Sequence, residues 1–201
     1  MSTNKQRLLA VLVAAAGLTS IAPTAQAAEP WLVRVRALYL DPANKDDIAG
    51  ADLSVDSKTF PEVDISYFFT PNLAAELVLT YPQKHDLSLD GSKIGTLKHL
   101  PPTLSLQYHF IPEGSVRPYA GIGINYTRFS SVDLPAGLDV DRNSWGLAIG
   151  AGVDIPVAKN LLVNVDVKKV QIRTDVSAGG SKLGEFRVDP LLFSVGLGFK
   201  F

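Results

Sequence analysis

Charged residues stand at every second position of several otherwise apolar segments. Arg34 and Arg36, for example, stand on either side of Val35. Residues two apart share one face of a β-strand, so each such segment has an apolar face and a face that carries charge. Charges of both signs on neighbouring strands favour a cross-strand network of salt bridges. The residues that we expect to form this ionic layer are Arg34, Arg36, Asp64, Glu76 and Asp154.

The histidines give little support to catalysis or metal binding. The sequence has three, His85, His99 and His109, and no cysteine, and no HExxH motif or close histidine pair occurs. Ser105 and His109 share one strand face, but a hydrolase would also need a carboxylate within reach, and no motif marks this pair. We therefore expect a protein that is not an enzyme and that uses neither a metal nor another cofactor.

The N-terminus has the features of a secretory signal peptide. Lys5 and Arg7 precede the apolar run Leu8–Leu18, and a small-x-small cleavage sequence, Ala25-Gln26-Ala27, follows it. This pattern predicts a cleaved signal peptide at 1–27 and a single domain at 28–201.

The exported domain is nearly balanced in charge and lacks a helical membrane span. Cleavage removes two of the 19 basic residues and none of the 20 acidic ones, so nucleic acid is not favoured as a partner. No run of 18 apolar residues occurs after the signal peptide, which excludes a transmembrane helix there. Because the chain has no cysteine, its stability has to come from backbone pairing and burial.

Eight segments of the domain alternate between apolar and small or polar residues. In the stretch His99–Phe129, Leu104, Leu106 and Tyr108 fall on one face, opposite small and polar residues. Such alternation is typical of β-strands whose two faces meet different environments. The predicted strands are Trp31–Leu40, Lys58–Phe69, Leu73–Tyr81, both arms of a hairpin within His99–Phe129, Ser144–Ile155, Leu161–Arg173 and Val188–Phe201.

The face assignment predicts an all-β protein, an eight-stranded antiparallel transmembrane β-barrel. The apolar faces carry aromatic rings near their ends, whereas the other faces carry glycine and charge, which would make a poor core for a soluble lipocalin-like barrel. The connections alternate between short and long, as in outer-membrane barrels with short periplasmic turns, long extracellular loops and both termini in the periplasm. The predicted long loops are Asp41–Ser57, Pro82–Lys98, Ser130–Asn143 and Thr174–Arg187.

The inward positions outline a narrow lumen that is apolar towards the loops and ionic towards the periplasm. Its many glycines either keep a conduit open or relieve crowding by larger neighbours such as Tyr119. The pattern also changes at Lys168-Lys169, which a β-bulge or an apolar patch inside the barrel would explain. The residues predicted to line the lumen are Phe60, Val78, Thr80, Gly121, Gly123, Gly150, Gly152, Lys168, Val170 and Leu192.

Prolines stand at the outer end of two neighbouring strands. Pro82 follows the third predicted strand, and Pro101 and Pro102 open the fourth. Proline lacks the N–H group that a strand ladder needs, so pairing should be interrupted here. These prolines either end the strands before the loops or create a side opening from the lumen to the bilayer.

The last strand ends on an aromatic residue. Its apolar face includes Phe199 and Phe201, and a C-terminal aromatic of this kind resembles the signal read by the barrel-assembly machinery. The expected location is the outer membrane of a Gram-negative bacterium. The expected partners are that machinery, outer-membrane lipid and lipopolysaccharide, and small hydrophobic solutes.

Several segments resemble the OmpW/AlkL family of outer-membrane proteins across essentially the whole exported domain. They are HLPPTLSLQYHF (99–110), RPYAGIGINYTRF (117–129), SWGLAIGAGVD (144–154), the NVDV and QIRTDV region (164–176) and RVDPLLFSVGLGFKF (187–201). The resemblance implies an eight-stranded barrel with a narrow, largely hydrophobic channel that takes up small hydrophobic molecules. The chain departs from the family at Lys168-Lys169, where relatives often carry an aromatic pair.

The expected function is therefore passive uptake of small hydrophobic molecules through a partly apolar lumen, with a lateral exit into the bilayer as one route. The alternative is a structural or surface-interaction barrel that acts through its extracellular loops. Uptake that is equal with and without the protein would favour the alternative.

Overall fold

The computed structural model describes residues 29–48 and 52–201. The predicted signal peptide, 1–27, lies outside these residues. Among the described residues, no helix is long and apolar enough to cross a membrane. The strands are β1 (Trp31–Asp41), β2 (Lys45–Asp46), β3 (Leu53–Val55), β4 (Lys58–Phe68), β5 (Leu73–Leu79), β6 (Gln83–Leu89), β7 (Ser92–Leu100), β8 (Thr103–His109), β9 (Arg117–Asp133), β10 (Leu138–Val140), β11 (Asn143–Pro156), β12 (Leu161–Val170), β13 (Arg173–Ala178), β14 (Ser181–Arg187) and β15 (Leu191–Lys200).

Eight strands close into the predicted antiparallel barrel. Their order around the barrel is β1, β4, β5, β8, β9, β11, β12 and β15, and the pairing of β15 with β1 closes the ring. Three short connections, 69–72, 110–116 and 157–160, lie at the end where β1 begins and β15 ends. We call this the turn end and the opposite end the loop end. The eight-stranded antiparallel barrel is therefore confirmed.

The barrel is apolar outside and polar inside. Trp145 is 71% exposed on the outer face of β11, whereas the guanidinium-bearing Arg34 is 0% exposed on the inner face of β1. Outward aromatic residues form two bands that are about 20 Å apart along the barrel axis at ordinary strand rise and tilt. The band towards the loop end includes Tyr39, Tyr81, Tyr126 and Trp145, and the band towards the turn end includes Trp31, Tyr67, Phe69, Tyr108, Phe110, Phe199 and Phe201.

The four long connections, which were predicted as loops, contain further strands. These make up most of 80–102 and 171–190, but only five of the described residues in 42–57 and three in 134–142. The β6–β7 hairpin extends the barrel wall by pairing with β9 and β3, while β10, β13, β14 and β2 form a second sheet. Two turns allow these hairpins, since Asp90-Gly91 (φ 50° and 76°) and Gly179-Gly180 (φ 56° and 83°) take the left-handed conformation of a tight β-hairpin. Together these strands build an extension of the barrel at the loop end.

The change of pattern at Lys168-Lys169 is an apolar patch and not a bulge. Lys168 pairs with Gly150 and Val170 with Ala148 without a register shift, so Lys168 and Val170 both face inward. Lys169 faces outward and its ammonium group donates to the Asp189 carbonyl. The strand ends at Val170, three residues earlier than predicted.

Candidate functional site

The predicted ionic layer is a connected network inside the barrel, and Arg34 is at its turn-end side. The Arg34 guanidinium lies 2.9 Å from an Asp64 oxygen and 2.7 Å from an Asp154 oxygen. It also lies over the Tyr119 ring, 5.3 Å from the ring centre. These contacts tie β1 to β4, to β11 and to β9, across the interior as well as along the wall.

Arg36 and Lys168 continue the network towards the loop end. Arg36 contacts Glu62 at 2.6 Å and Asp64 at 3.0 Å, and the Lys168 ammonium group lies 2.9 Å from Glu76. All five of these side chains are at most 6% exposed. Because each buried charge has an opposite charge within reach, the layer fills this section of the barrel instead of leaving a charged pore.

The inward glycines in this section accommodate neighbouring side chains. A Cβ on Gly152 would lie 2.3 Å from the Tyr119 hydroxyl oxygen, and one on Gly150 would lie 3.2 Å from a Lys168 side-chain carbon. Tyr119 uses the space to donate a hydrogen bond of 2.8 Å to Asp166. The geometry thus favours relief of crowding over an open conduit at four of the predicted lumen positions, Gly121, Gly123, Gly150 and Gly152.

The loop end of the interior has the opposite character. Aliphatic and aromatic side chains from both sheets enclose a cavity of about 100 Å³, which we call the apolar chamber. Apart from Thr174, every residue around it is apolar. Its walls include Ile48, Leu53, Leu87, Leu97, Phe129, Val140, Val176, Phe186 and Val188.

A smaller cavity of about 20 Å³, the seam cavity, lies between the chamber and the ionic layer. Lys168 and Glu62 stand on its ionic side, and Pro101 and Pro190 line it as well. It brings together six of the residues predicted to line the lumen, namely Phe60, Val78, Thr80, Lys168, Val170 and Leu192.

The prolines coincide with a break in strand pairing beside this cavity. Val78 pairs with Thr103 on one side of the break and Gln83 pairs with His99 on the other. Among the described residues no ladder pairing joins 79–82 to 100–102, and we call this break the seam. It contains Pro82, Pro101 and Pro102, and it lies at the height of Tyr81 in the outward aromatic band.

Inward side chains take over the backbone hydrogen bonds at the seam. The Gln83 amide donates to the Tyr81 carbonyl at 3.0 Å, whereas the Pro102 carbonyl faces β9, where it accepts from the Tyr126 backbone N–H and from the Asn125 amide, each at 3.1 Å. The Thr103 hydroxyl makes a longer contact of 3.4 Å with the Pro101 carbonyl. The Tyr81 and Pro101 carbonyls therefore need no partner strand across the seam, which keeps the break compatible with a buried setting. Sequence reasoning missed Gln83, although an inward amide directly after a proline is a usable signal.

One histidine lies at the turn end of the barrel, and the other two lie together in the loop-end extension. His109 packs at the turn end against Tyr119, with ring centres 5.0 Å apart. Ser105 lies four residues from it along β8, about 13 Å at ordinary strand rise, so the two cannot form a catalytic pair. His85 and His99, which seemed unrelated in the sequence, are stacked beside each other above the seam, with ring centres 4.4 Å apart.

The C-terminal aromatic residues lie where the last strand, β15, pairs with the first strand, β1, at the turn end of the barrel. The backbone of Phe201 exchanges hydrogen bonds of 2.8 and 2.9 Å with Trp31, and the Phe199 ring lies 6.1 Å from the Phe201 ring. Phe201 thus completes the pairing of the last strand with the first.

Comparisons with known proteins agree with this architecture. A model of the OmpW family matches residues 13–201. The uncharacterized outer-membrane protein y4mB of Sinorhizobium fredii is 42% identical over 94% of this chain and 90% of its own length. The dibenzothiophene metabolism operon protein PahQ of Pseudomonas aeruginosa is 37% identical over 57% of this chain and 56% of its own length.

A solved barrel has the same arrangement. The crystal structure of the outer membrane protein OprG from Pseudomonas aeruginosa matches with a TM-score of 0.77 and 29% identity, over 88% of this chain and 97% of that one. The family match spans nearly the whole chain and the fold is shared with a solved outer-membrane barrel. This chain therefore belongs to the OmpW family of outer-membrane β-barrel proteins.

Proposed function

We propose that the barrel passively takes up small hydrophobic molecules at its loop end and releases them sideways through the seam. In this orientation the loop end faces the outside and both termini face the periplasm. The observation that carries the proposal is the divided interior, in which an apolar chamber and a break in the wall both lie on the loop-end side of a closed ionic layer.

The ionic layer disfavours an exit through the floor. An apolar solute that entered it would have to separate buried charges such as Arg34, Asp64 and Glu76, which are 0% exposed and paired. Breaking a buried ion pair costs about 3 to 5 kcal/mol, and an apolar solute offers no replacement for the lost contacts. A sideways path avoids this cost.

The seam provides such a path at a suitable height. Thr80 and Pro101 line the seam cavity from the two sides of the break, and the side chains of Gln83 and Thr103 already contact the seam carbonyls of Tyr81 and Pro101. Tyr81 lies within the break and belongs to the outward aromatic band that marks one edge of the apolar surface. A solute that leaves here enters the outer leaflet.

The relative PahQ supports the choice of solute class. Its name places it in an operon for the metabolism of dibenzothiophene, which is a small apolar aromatic compound. A passive route for such compounds fits a chamber whose walls are almost entirely apolar.

A reversible disulfide bond across the seam, which we call the staple, tests the route. The chain has no cysteine, so Thr80→Cys with Pro101→Cys introduces the only thiols. The matched control is Ala75→Cys with Leu106→Cys, which joins two strands at positions that are already paired. We expect oxidation of the seam variant to reduce the initial uptake of radiolabelled p-xylene by cells to that of cells without the protein, and reduction to restore it. The control should be insensitive.

A second variant keeps the test decisive if the staple does not form. Pro101→Val with Pro102→Thr restores two N–H donors, so β5 and β8 can pair further and uptake should slow. Normal uptake by cells with the oxidised double-cysteine variant and by cells with this second variant would contradict the lateral route. Equal uptake by cells with and without the wild-type protein would instead favour a surface-interaction barrel.

A further inference from the structure

Two buried histidines form a stacked pair that the uptake route alone does not explain. His85 on β6 and His99 on β7 have ring centres 4.4 Å apart and ring planes within 9° of each other. They are 0% and 2% exposed. The β6–β7 hairpin brings them together, since Gln83 pairs with His99 and His85 with Leu97.

The pair lies between the two cavities. Leu87 and Leu97 stand two residues from His85 and His99 on the same inward faces, and both line the apolar chamber. The His99 ring also meets Phe129, another chamber residue, edge to face at 6.5 Å. On the other side, Pro101 follows His99 by two residues and lines the seam cavity. Neither ring lines a cavity itself, but the residues on either side of the pair along these inward faces do.

The hydrogen-bonding state of His85 can be assigned from its neighbours. Its Nδ1 lies 3.2 Å from the Asp56 carbonyl oxygen and 3.2 Å from an Asp56 carboxylate oxygen, so Nδ1 carries a proton and donates. Burial lowers the pKa of His85, despite the opposing effect of Asp56, and burial with the neighbouring His85 and Lys58 lowers the pKa of His99 to about 3. Both rings are therefore neutral at neutral pH.

A neutral ring that donates from Nδ1 has a free acceptor at Nε2. The Nε2 atoms of His85 and His99 are both buried and have no hydrogen-bond partner among residues 29–48 and 52–201. A buried polar atom without a partner costs free energy, so each of these nitrogen atoms would be stabilised by a ligand that supplies a donor.

We infer that His85 Nε2 is the acceptor of a binding subsite for the hydroxyl group of small, otherwise apolar ligands such as monocyclic phenols and short alcohols. The inference rests on the proposed uptake function and narrows its solute class. A hydroxyl group donates to Nε2, whereas esters, ethers and ketones present only acceptors to it. The apolar remainder of the ligand occupies the chamber, whose walls are apolar apart from Thr174.

An isosteric ligand pair tests the subsite directly. p-Cresol and p-xylene differ by a hydroxyl in place of a methyl group, and their binding to the purified, refolded barrel in lipid nanodiscs can be compared. His85→Phe keeps an aromatic ring for the stack and removes the acceptor. We expect it to weaken p-cresol binding about fivefold to tenfold, the effect of one net hydrogen bond, and to leave p-xylene binding unchanged. His109→Phe makes the same chemical change at the turn end and should affect neither ligand.

Nitrogen NMR gives an independent readout on the wild-type protein, which has only three histidines. With ¹⁵N-labelled histidine, p-cresol should shift the Nε2 resonance of His85 towards that of a hydrogen-bonded nitrogen, whereas p-xylene should not. Equal weakening of both ligands by His85→Phe, or an unmoved Nε2 resonance at saturating p-cresol, would overturn the subsite. Neither result would touch the uptake proposal, which depends on p-xylene transport and on the seam staple.

Discussion

The two ends of the barrel interior are both buried but are filled in different ways. In the ionic layer, charged side chains meet at 2.6 to 3.0 Å and leave almost no exposed surface. In the apolar chamber, aliphatic and aromatic side chains enclose about 100 Å³ of space. Ion pairs are directional and must be complete to be tolerated, whereas apolar contacts can be given up gradually.

The free-energy cost of leaving the apolar chamber unfilled indicates that the chamber has a function. A cavity of this size forfeits about 2 kcal/mol of packing free energy. The same chain packs side chains tightly against Gly152 and Gly150 in the ionic layer, so it has the means to fill space. We therefore interpret the ionic layer as the part that holds the barrel together and the chamber as the part that binds a ligand. Three predictions test this division, in addition to the tests of the seam and of His85.

The largest expected effect comes from breaking the ionic layer. Arg34→Leu removes the cation that contacts Asp64 and Asp154 and leaves these carboxylates with fewer partners. We expect the free energy of unfolding, measured by urea titration in lipid vesicles, to fall by about 3 kcal/mol or more. The matched control is Arg142→Leu, because Arg142 pairs with Asp139 at the exposed surface and such pairs contribute at most about 1 kcal/mol. Equal effects of the two changes would refute a stabilising role for the layer.

An intermediate effect is expected from filling the chamber. Val176 is a buried chamber residue, and Val176→Trp should occupy the space that a ligand would use. We expect p-xylene binding to weaken about tenfold or more, while the free energy of unfolding changes by less than in Arg34→Leu. Val165→Trp is the control on the lipid-facing surface, where the residue is 52% exposed, and should leave binding unchanged. Undiminished binding in Val176→Trp would place the ligand outside the chamber.

The smallest effect is a pH dependence confined to the loop-end extension. Burial lowers the pKa of His99 from 6.5 to about 3, so between these values the unfolded segment binds a proton that the folded one does not. The contribution of His99 to stability is thus fully present above pH 6.5 and is lost as the pH falls towards 3. Hydrogen exchange of β6 and β7, corrected for intrinsic rates, should speed up at pH 4.5 relative to β12. In His99→Leu this additional acceleration should diminish, and an unchanged pH response would show that other groups cause it.

The barrel itself could be predicted because its signal is local. A period-two pattern with aromatic residues on the apolar face sets which face of each strand meets lipid, and the alternation of short and long connections orders the strands. The hairpins of the extension also carried a local signal, since Asp90-Gly91 and Gly179-Gly180 are typical of two-residue turns. They escaped prediction because the strands beside these turns mix polar with apolar residues and so lack the regular alternation of the barrel strands.

The sequence by itself thus determined the class of the fold, the direction of each barrel strand's faces and the prolines that break a ladder. Only the tertiary structure decided which charges meet, that Tyr119 fills the space beside Gly152, that Gln83 satisfies the Tyr81 carbonyl at the seam, and that His85 stacks on His99. The physical reason is that a strand pattern states which side a residue faces but not the relative shift of strands around the closed barrel. That shift, together with side-chain conformation, sets which inward groups come within contact distance.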